Sequence, residues 1–437
     1  MDAFVIRGGK PLNGAVRIAG SKNAALPIMA CALLTDEPLD LLDVADLADI
    51  GNMRRLLHAL GCDASEHDGA LRLHATDTSA SFAKYDIVRT MRASICALGP
   101  LLARRGEARI SLPGGCAIGV RPVDLHLKGM ESLGATISLD SGDIVATVPP
   151  GGRLIGATVF LGGAYGPTVL GTANVMSAAT LARGRTVIES AACEPEIVDL
   201  AAVLTAMGAK ITGAGSPRII VDGVERLHGA RHRVMADRIE AGTYLMAGAI
   251  AGGKLTVTNC PIDCLMAATT TLAEAGIEVR RDPATTDLLR ATVTVERTGD
   301  LTPAHVTTQP HPGFPTDLQA QLMALLSLAR GNSSITERIF PDRFMHVAEL
   351  ARMGAELMRH GSTVLVSGVP RLVGAPVMAS DLRASASLVL AGLAASGQTI
   401  VRRVYHLDRG YERMEDRLRA VGADIERVDE ADLSLLD

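Results

Sequence analysis

Six stretches of the chain are apolar at nearly every position, beginning near Lys22, Met91, Thr172, Glu240, Asp317 and Asp381. Beyond their first turns these Ala/Leu-rich stretches have no broad polar face, so the pattern predicts six helices buried all round. Each ends in Gly or a polar turn and runs into a β-branched strand. A second, more amphipathic helix follows. It closes on a recurring phrase: Leu60-Gly61-Cys62, Leu133-Gly134-Ala135, Met207-Gly208-Ala209, Ala275-Gly276-Ile277, Met353-Gly354-Ala355 and Val421-Gly422-Ala423. Each glycine reads as the residue that turns the chain out of a helix into an alternating strand. The period of about 70 residues is longer than that of solenoid repeats. Six copies of one unit divide as three plus three, which predicts two similar α/β domains with a cleft between them.

Charged and polar residues gather where the apolar helices begin: Ser21-Lys22-Asn23, Arg89-Thr90-Met91-Arg92, Asp237-Arg238-Ile239-Glu240, Pro315-Thr316-Asp317 and Ser380-Asp381-Leu382-Arg383. Capping accounts for the Ser, Thr and Asp members, and Thr316 to Gln319 fits a capping box. It does not account for Lys22, Arg92, Arg238 and Arg383, because a cation at a helix start is unfavourable unless an anion joins it. Helix N-termini bind anions, so the pattern points to a site for phosphates and carboxylates.

Composition narrows the class. The 437 residues carry a net charge of −5, no Trp and 3% aromatics, which excludes a general affinity for nucleic acid. Seven scattered cysteines without a CxxC pair read as reduced thiols, with no zinc site. The first residues lack the pattern of a signal peptide and no apolar run reaches membrane-spanning length, so a cytoplasmic protein without membrane contact is expected. No GxxxxGK[ST] occurs, and Gly213-Ala214-Gly215 leads into Ser-Pro instead of a helix, so neither nucleotide fingerprint is present. No metal or cofactor is expected.

The stretch Pro113-Gly114-Gly115-Cys116-Ala117-Ile118-Gly119-Val120-Arg121-Pro122 places one thiol among glycines with a guanidinium five residues on. Two readings stand: a mobile reactive thiol facing an anion, or a surface turn with an incidental cysteine. His126 has no partners for a hydrolase triad. His311 and His346 are expected in polar turns. The run His406-Leu407-Asp408-Arg409-Gly410-Tyr411-Glu412 reads either as a solvated loop with an internal ion pair or as a carrier of Arg409 into the cleft.

Taken together, Gly20-Ser21-Lys22-Asn23, Thr90-Met91-Arg92, the Cys116 loop, Glu194-Pro195-Glu196, Phe314-Pro315-Thr316-Asp317, Arg343-Phe344-Met345-His346, Asp381-Leu382-Arg383 and the His406–Glu412 run resemble the enolpyruvyl transferases that act on UDP-N-acetylglucosamine. The resemblance runs almost end to end. It implies two inside-out α/β barrels with helices inside and sheets outside, residues 1–21 with 236–437 forming one domain and 22–235 the other. It implies transfer of the enolpyruvyl group of phosphoenolpyruvate to the sugar 3-hydroxyl, the first committed step of peptidoglycan synthesis, and alkylation of the cysteine by the epoxide fosfomycin. Implied roles are Cys116 as general acid, Asp317 as base, and Lys22, Arg121 and Arg409 as ligands for phosphate and carboxylate. Asn23 and Ile339 fall at the sugar, Arg92 at the diphosphate, and Arg121, Pro122, Val123, Asp124 and Leu125 at the uridine. Gly163, Ala164, Tyr165, Gly166 and Arg383 are further substrate contacts. Glu194, Asp237, Arg238 and Asp381 form a supporting network.

The chain departs from the family at Leu161-Gly162-Gly163-Ala164-Tyr165-Gly166, where many relatives carry Asp-Lys-Val-Ser-Val-Gly against the uracil, and at Cys193, where an arginine is common. Alternatives are a relative that uses another acceptor and a UDP-sugar-binding paralogue without turnover.

Overall fold

The computed structural model describes residues 1–112 and 123–435. These fall into two compact units, one of 1–19 with 236–435 and one of 20–112 with 123–235. Among the described residues there are six four-stranded sheets, three in each unit, and all follow one scheme. In one of them Phe82–Ala83 lies parallel to Glu107–Ser111, which pairs antiparallel with Asp143–Thr147, which pairs antiparallel with Thr136–Asp140. The helix Leu98–Arg105 joins the first two strands and Asp124–Ser132 leads to the hairpin. Parallel neighbours need such a crossover, whereas antiparallel ones close with a short turn.

The ends of the chain complete the scheme. Asp2–Arg7 inserts between Gln398–Arg402 and Asp424–Asp429 as the missing strand of the last repeat. Leu12–Arg17 lies parallel to Gly253–Cys260, and Ala230–Arg233 lies parallel to Leu39–Leu42. The chain therefore leaves the first unit, and later the second, at the same point of a repeat, just before an interior helix.

The interior helices are Lys22–Ala30, Leu98–Arg105, Val169–Ala179, Arg238–Ala251, Gln319–Leu326 and Leu382–Ala394. Arg238–Ala251 is buried from Arg238 to Ile250 and Leu382–Ala394 from Arg383 to Leu393, as apolarity all round requires. In the first unit these two and Gln319–Leu326 pack on one another inside a continuous apolar cluster. The six phrase glycines all adopt φ between 76° and 105°, the left-handed turn that ends a helix and that a side chain resists. No helix among the described residues is long and apolar enough to cross a membrane.

Three expectations need adjustment. The second interior helix starts at Leu98, not Met91, after a 3₁₀ turn over Arg92–Ala97. Pro100 has no N–H to give the carbonyl of Cys96, so it is accommodated in the first turn of the α-helix proper. The first unit ends at Ala19, not at residue 21. The Ser21 N–H donates to the Met235 carbonyl at 2.7 Å and its hydroxyl accepts from Ala24 N–H, which ties it to the second unit. His346 lies within the helix Met345–Arg352 and is 1% exposed, not in a polar turn. Burial pushes its imidazole down to about 4, with Asp381 opposing.

Glu240, on the helix Arg238–Ala251, grips the end of the strand Leu12–Arg17. It accepts from Ala19 N–H at 2.8 Å and from Arg417 at 2.9 Å, while Arg417 also donates to the Arg17 carbonyl. Burial pushes the Glu240 carboxyl from 4.5 up to about 7, Arg417 opposing and Asp237 adding. An acid raised on folding contributes stability while protonated in the fold. That contribution is full below about 4.5 and is lost as pH rises through about 7. The unfolding midpoint of the native chain relative to Glu240→Gln should therefore drop between pH 5 and pH 8 in calorimetry, and a constant difference would contradict it.

Candidate active site

In the second unit, Ser21 caps the helix Lys22–Ala30, which sets Lys22 at its first position and Asn23, half-buried, at its second. Lys22 Nζ lies 3.2 Å from Asp49 Oδ2, with the side chains 11% and 3% exposed. Arg92 opens the 3₁₀ turn Arg92–Ala97 and is half-buried. Gly162–Gly163 and Gly166–Pro167 form a tight hairpin whose tip is Ala164 and Tyr165, the tyrosine 62% exposed. A Cβ at Gly163 would lie 3.2 Å from Leu125 Cδ1, so hairpin and the start of helix Asp124–Ser132 are in contact. The structure thus brings together two groups of residues expected at the uridine. Val123 precedes that helix and Asp124, exposed, opens it. Cys116, Arg121 and Pro122 lie outside the described residues.

Glu194, 8% exposed, precedes Pro195–Ala206 with proline at its first position. His126 is a buried structural group: Asn174, within Val169–Ala179, lies 3.0 Å from its Nδ1 and also bonds Ile95 and Gly99. The helix Val169–Ala179 is thereby fastened to three neighbouring elements through one amide.

In the first unit, Asp317 sits on the 3₁₀ turn Thr316–Leu318. Its Oδ1 accepts from Arg343 Nη1 at 2.7 Å and its Oδ2 from Arg383 Nε at 3.2 Å. The two arginine side chains are 6% and 2% exposed, the aspartate 26%. Burial opposes the charge on both guanidiniums, but Asp317 and Asp381 outweigh it at Arg343, and Tyr411, Asp317 and Asp237 at Arg383, so both are held above the ordinary arginine value. Arg383 also stacks 5.3 Å over the Tyr411 ring. Asp381 caps Leu382–Ala394 through the N–H groups of Arg383 and Ala384, and Asp237 caps Arg238–Ala251 in the same way. Arg238 is buried in the first turn of its helix. Gln321 Nε2 reaches Thr243 Oγ1, the Asp317 carbonyl and the Tyr411 hydroxyl, tying the Asp317 turn to the Arg409 loop. Arg409 ends the 3₁₀ turn Val404–Arg409, whose Asp408 pairs with Arg427, and Glu412 pairs with Arg417. Ile339 is half-buried beyond the strand Asn332–Thr336.

Two parts of the sequence reading change. The capping box over Thr316–Gln319 does not form, because the Thr316 hydroxyl is taken by Glu337 Oε2 at 2.8 Å and the turn is 3₁₀. The anions joining Lys22 and Arg383 at their helix starts are side chains of the protein, Asp49 and Asp317. Within the first unit the arrangement is a carboxylate aimed by two buried cations, with Arg238 buried at a further helix start. Arg343, Gln321 and Tyr411 carried no assigned role in the sequence reading. Arg343 lies 26 residues from Asp317, and no local spacing signals such a pair.

The EPSP synthase model, described as 3-phosphoshikimate 1-carboxyvinyltransferase, matches residues 6–418. The chain belongs to the EPSP synthase family. Within it, the chain is 53% identical over 430 residues to the UDP-N-acetylglucosamine 1-carboxyvinyltransferase of Granulibacter bethesdensis, covering 98% of this chain and 100% of that one. The protein of the same name from Gluconacetobacter diazotrophicus is 55% identical over 433 residues, with 98% and 100% covered. Among solved structures, the enolpyruvyl transferase NikO from Streptomyces tendae matches with a TM-score of 0.86 and 26% identity over 98% of this chain and 99% of that one. EPSP synthase from Acinetobacter baumannii, at TM-score 0.76 and 17% identity over 98% and 100%, shares the fold. The mixed α/β fold is that of the EPSP synthase family, as the motifs led one to expect.

Proposed function

We propose that this chain transfers the enolpyruvyl group of phosphoenolpyruvate to the 3-hydroxyl of UDP-N-acetylglucosamine, releasing phosphate and opening peptidoglycan synthesis. The observation that carries the reading is near-complete coverage at 53–55% identity by relatives bearing that activity in their names. Each unit is read as an inside-out α/β barrel, a reading supported by three buried helices and three sheets in each.

In this mechanism the Cys116 thiol gives its proton to carbon 3 of phosphoenolpyruvate, making carbon 2 electrophilic. The sugar 3-oxygen bonds to carbon 2 as Asp317 receives the hydroxyl proton. Arg343 and Arg383 fix that carboxylate in direction, so it is held to orient the hydroxyl and receive its proton. Lys22, Arg121 and Arg409 balance the phosphate and carboxylate charge of the tetrahedral adduct. Elimination then breaks the carbon 2–oxygen bond to phosphate, and the thiolate recovers a proton from carbon 3. Asn23 and Ile339 hold the sugar and Arg92 the diphosphate. Leu125 and the Gly163–Gly166 hairpin hold the uracil through backbone groups and the exposed Tyr165 ring, in place of the family lysine.

Phosphate release with phosphoenolpyruvate and a panel of acceptors tests the reading. UDP-N-acetylglucosamine should turn over at least about 100-fold faster than other UDP-sugars or shikimate 3-phosphate. Preference for shikimate 3-phosphate, or no release with any UDP-sugar, would overturn it.

A further inference from the structure

Glu337 follows the strand Asn332–Thr336 and is 0% exposed. Among the described residues no cation lies within ion-pair distance of it. Its carboxylate is satisfied by four donors instead: the hydroxyls of Thr308 and Thr316 at 2.7 and 2.8 Å, and the N–H groups of Ile339 and Phe340 at 2.7 and 2.9 Å. A buried carboxylate without a cation is tolerable only when hydrogen bonds replace its water. The feature is therefore costly, and its donors come from two separate segments.

Both segments carry residues that the proposed reaction needs for its acceptor. Ile339, the sugar contact, gives Glu337 its own N–H. Thr316, next to Asp317, donates to Glu337 and accepts from Arg343 Nη1 at 3.1 Å. The same nitrogen donates to Asp317 Oδ1 at 2.7 Å. Thr308 closes the other side, since its hydroxyl also accepts from Arg338 N–H at 2.9 Å.

We infer that Glu337 is a positioning residue for the acceptor sugar: one buried carboxylate fixes the Ile339 backbone directly and the Asp317 carboxylate through Thr316 and Arg343. The inference rests on the reading of Asp317 and Ile339 as acceptor contacts. Phosphoenolpyruvate, held by other side chains, is not touched by this chain of bonds.

The test is steady-state phosphate release by the full chain with both substrates. Thr316→Val and Glu337→Gln should each lower kcat by roughly 10- to 100-fold and raise KM for UDP-N-acetylglucosamine, with KM for phosphoenolpyruvate unchanged within about 2-fold. Thr316→Ser, which keeps the hydroxyl, should restore activity. The double variant should be no worse than the poorer single one, because both break the same chain. Kinetics within about 3-fold of the native chain despite a lowered unfolding midpoint would mark Glu337 as merely structural. A raised KM for phosphoenolpyruvate alone would also overturn the inference. Should Glu337→Gln fail to fold, the two Thr316 variants decide. Should the native chain not turn over, the functional reading fails, and a crystal structure of Thr316→Val decides this one. A turned Asp317 carboxylate supports it, and an unmoved one sinks it.

Discussion

Asp317→Asn is expected to lower kcat by roughly 10²- to 10⁴-fold, the range that a general base contributes. The change keeps the shape of the side chain but removes the charge that joins Arg343 and Arg383. Those guanidiniums are 6% and 2% exposed, so they would lose the carboxylate they share and be left with Asp381, Asp237 and Tyr411 against burial. Breaking a fully buried pair costs about 3–5 kcal/mol; here the aspartate is 26% exposed, and solvent reduces that cost. A lower unfolding midpoint should therefore accompany the kinetic loss. The two effects separate when kcat and KM are measured well below that midpoint. A fall in kcat with KM for the UDP-sugar held within a few-fold marks the base. A change confined to KM would mean that Asp317 only binds.

Cys116→Ala is expected to abolish turnover, by at least about 10³-fold, while leaving UDP-sugar affinity intact, because no other group in the proposed mechanism supplies the proton to carbon 3. Cys116→Asp should retain an acid and part of the rate yet lose alkylation by fosfomycin. The structure sharpens the labelling test. Burial pushes the thiols of Cys31, Cys62, Cys96 and Cys260 up to about 12, and it raises that of half-buried Cys193 as well. Thiolates are the nucleophiles, so these five should stay unmodified near neutral pH. Peptide mapping by mass spectrometry should find the epoxide on Cys116. An unchanged rate in Cys116→Ala would remove Cys116 from the reaction, and epoxide that stays on position 116 in Cys116→Asp would contradict its role as the alkylated thiol.

The residues named from sequence and the groups now seen around them differ in a consistent way. Lys22 and Arg383 stood out because a cation at a helix start needs an anion. The structure adds carboxylates of the protein, Asp49 and Asp317, beside those two cations. A substrate anion at these cations must share them with those carboxylates. Thr316 shows the same limit from the polar side. Its spacing fits a capping box, yet a carboxylate 21 residues away claims the hydroxyl.

Six apolar helices, the glycine stops of the helices that follow them and the sixfold repeat were legible from the chain alone. Burial on all sides demands apolar residues at every position, and a left-handed helix end demands glycine, whatever surrounds them. The family also showed itself in short contiguous motifs. What only the tertiary structure decided is how charges are partnered: Asp317 between Arg343 and Arg383, Gln321 bridging two loops, Glu337 buried on four neutral donors. An ion pair or hydrogen bond acts over a few ångströms between residues of any separation along the chain, and its strength is set by water removed in folding. Neither the partner nor the dryness is written in local spacing, so both appear only once the helices and sheets have packed.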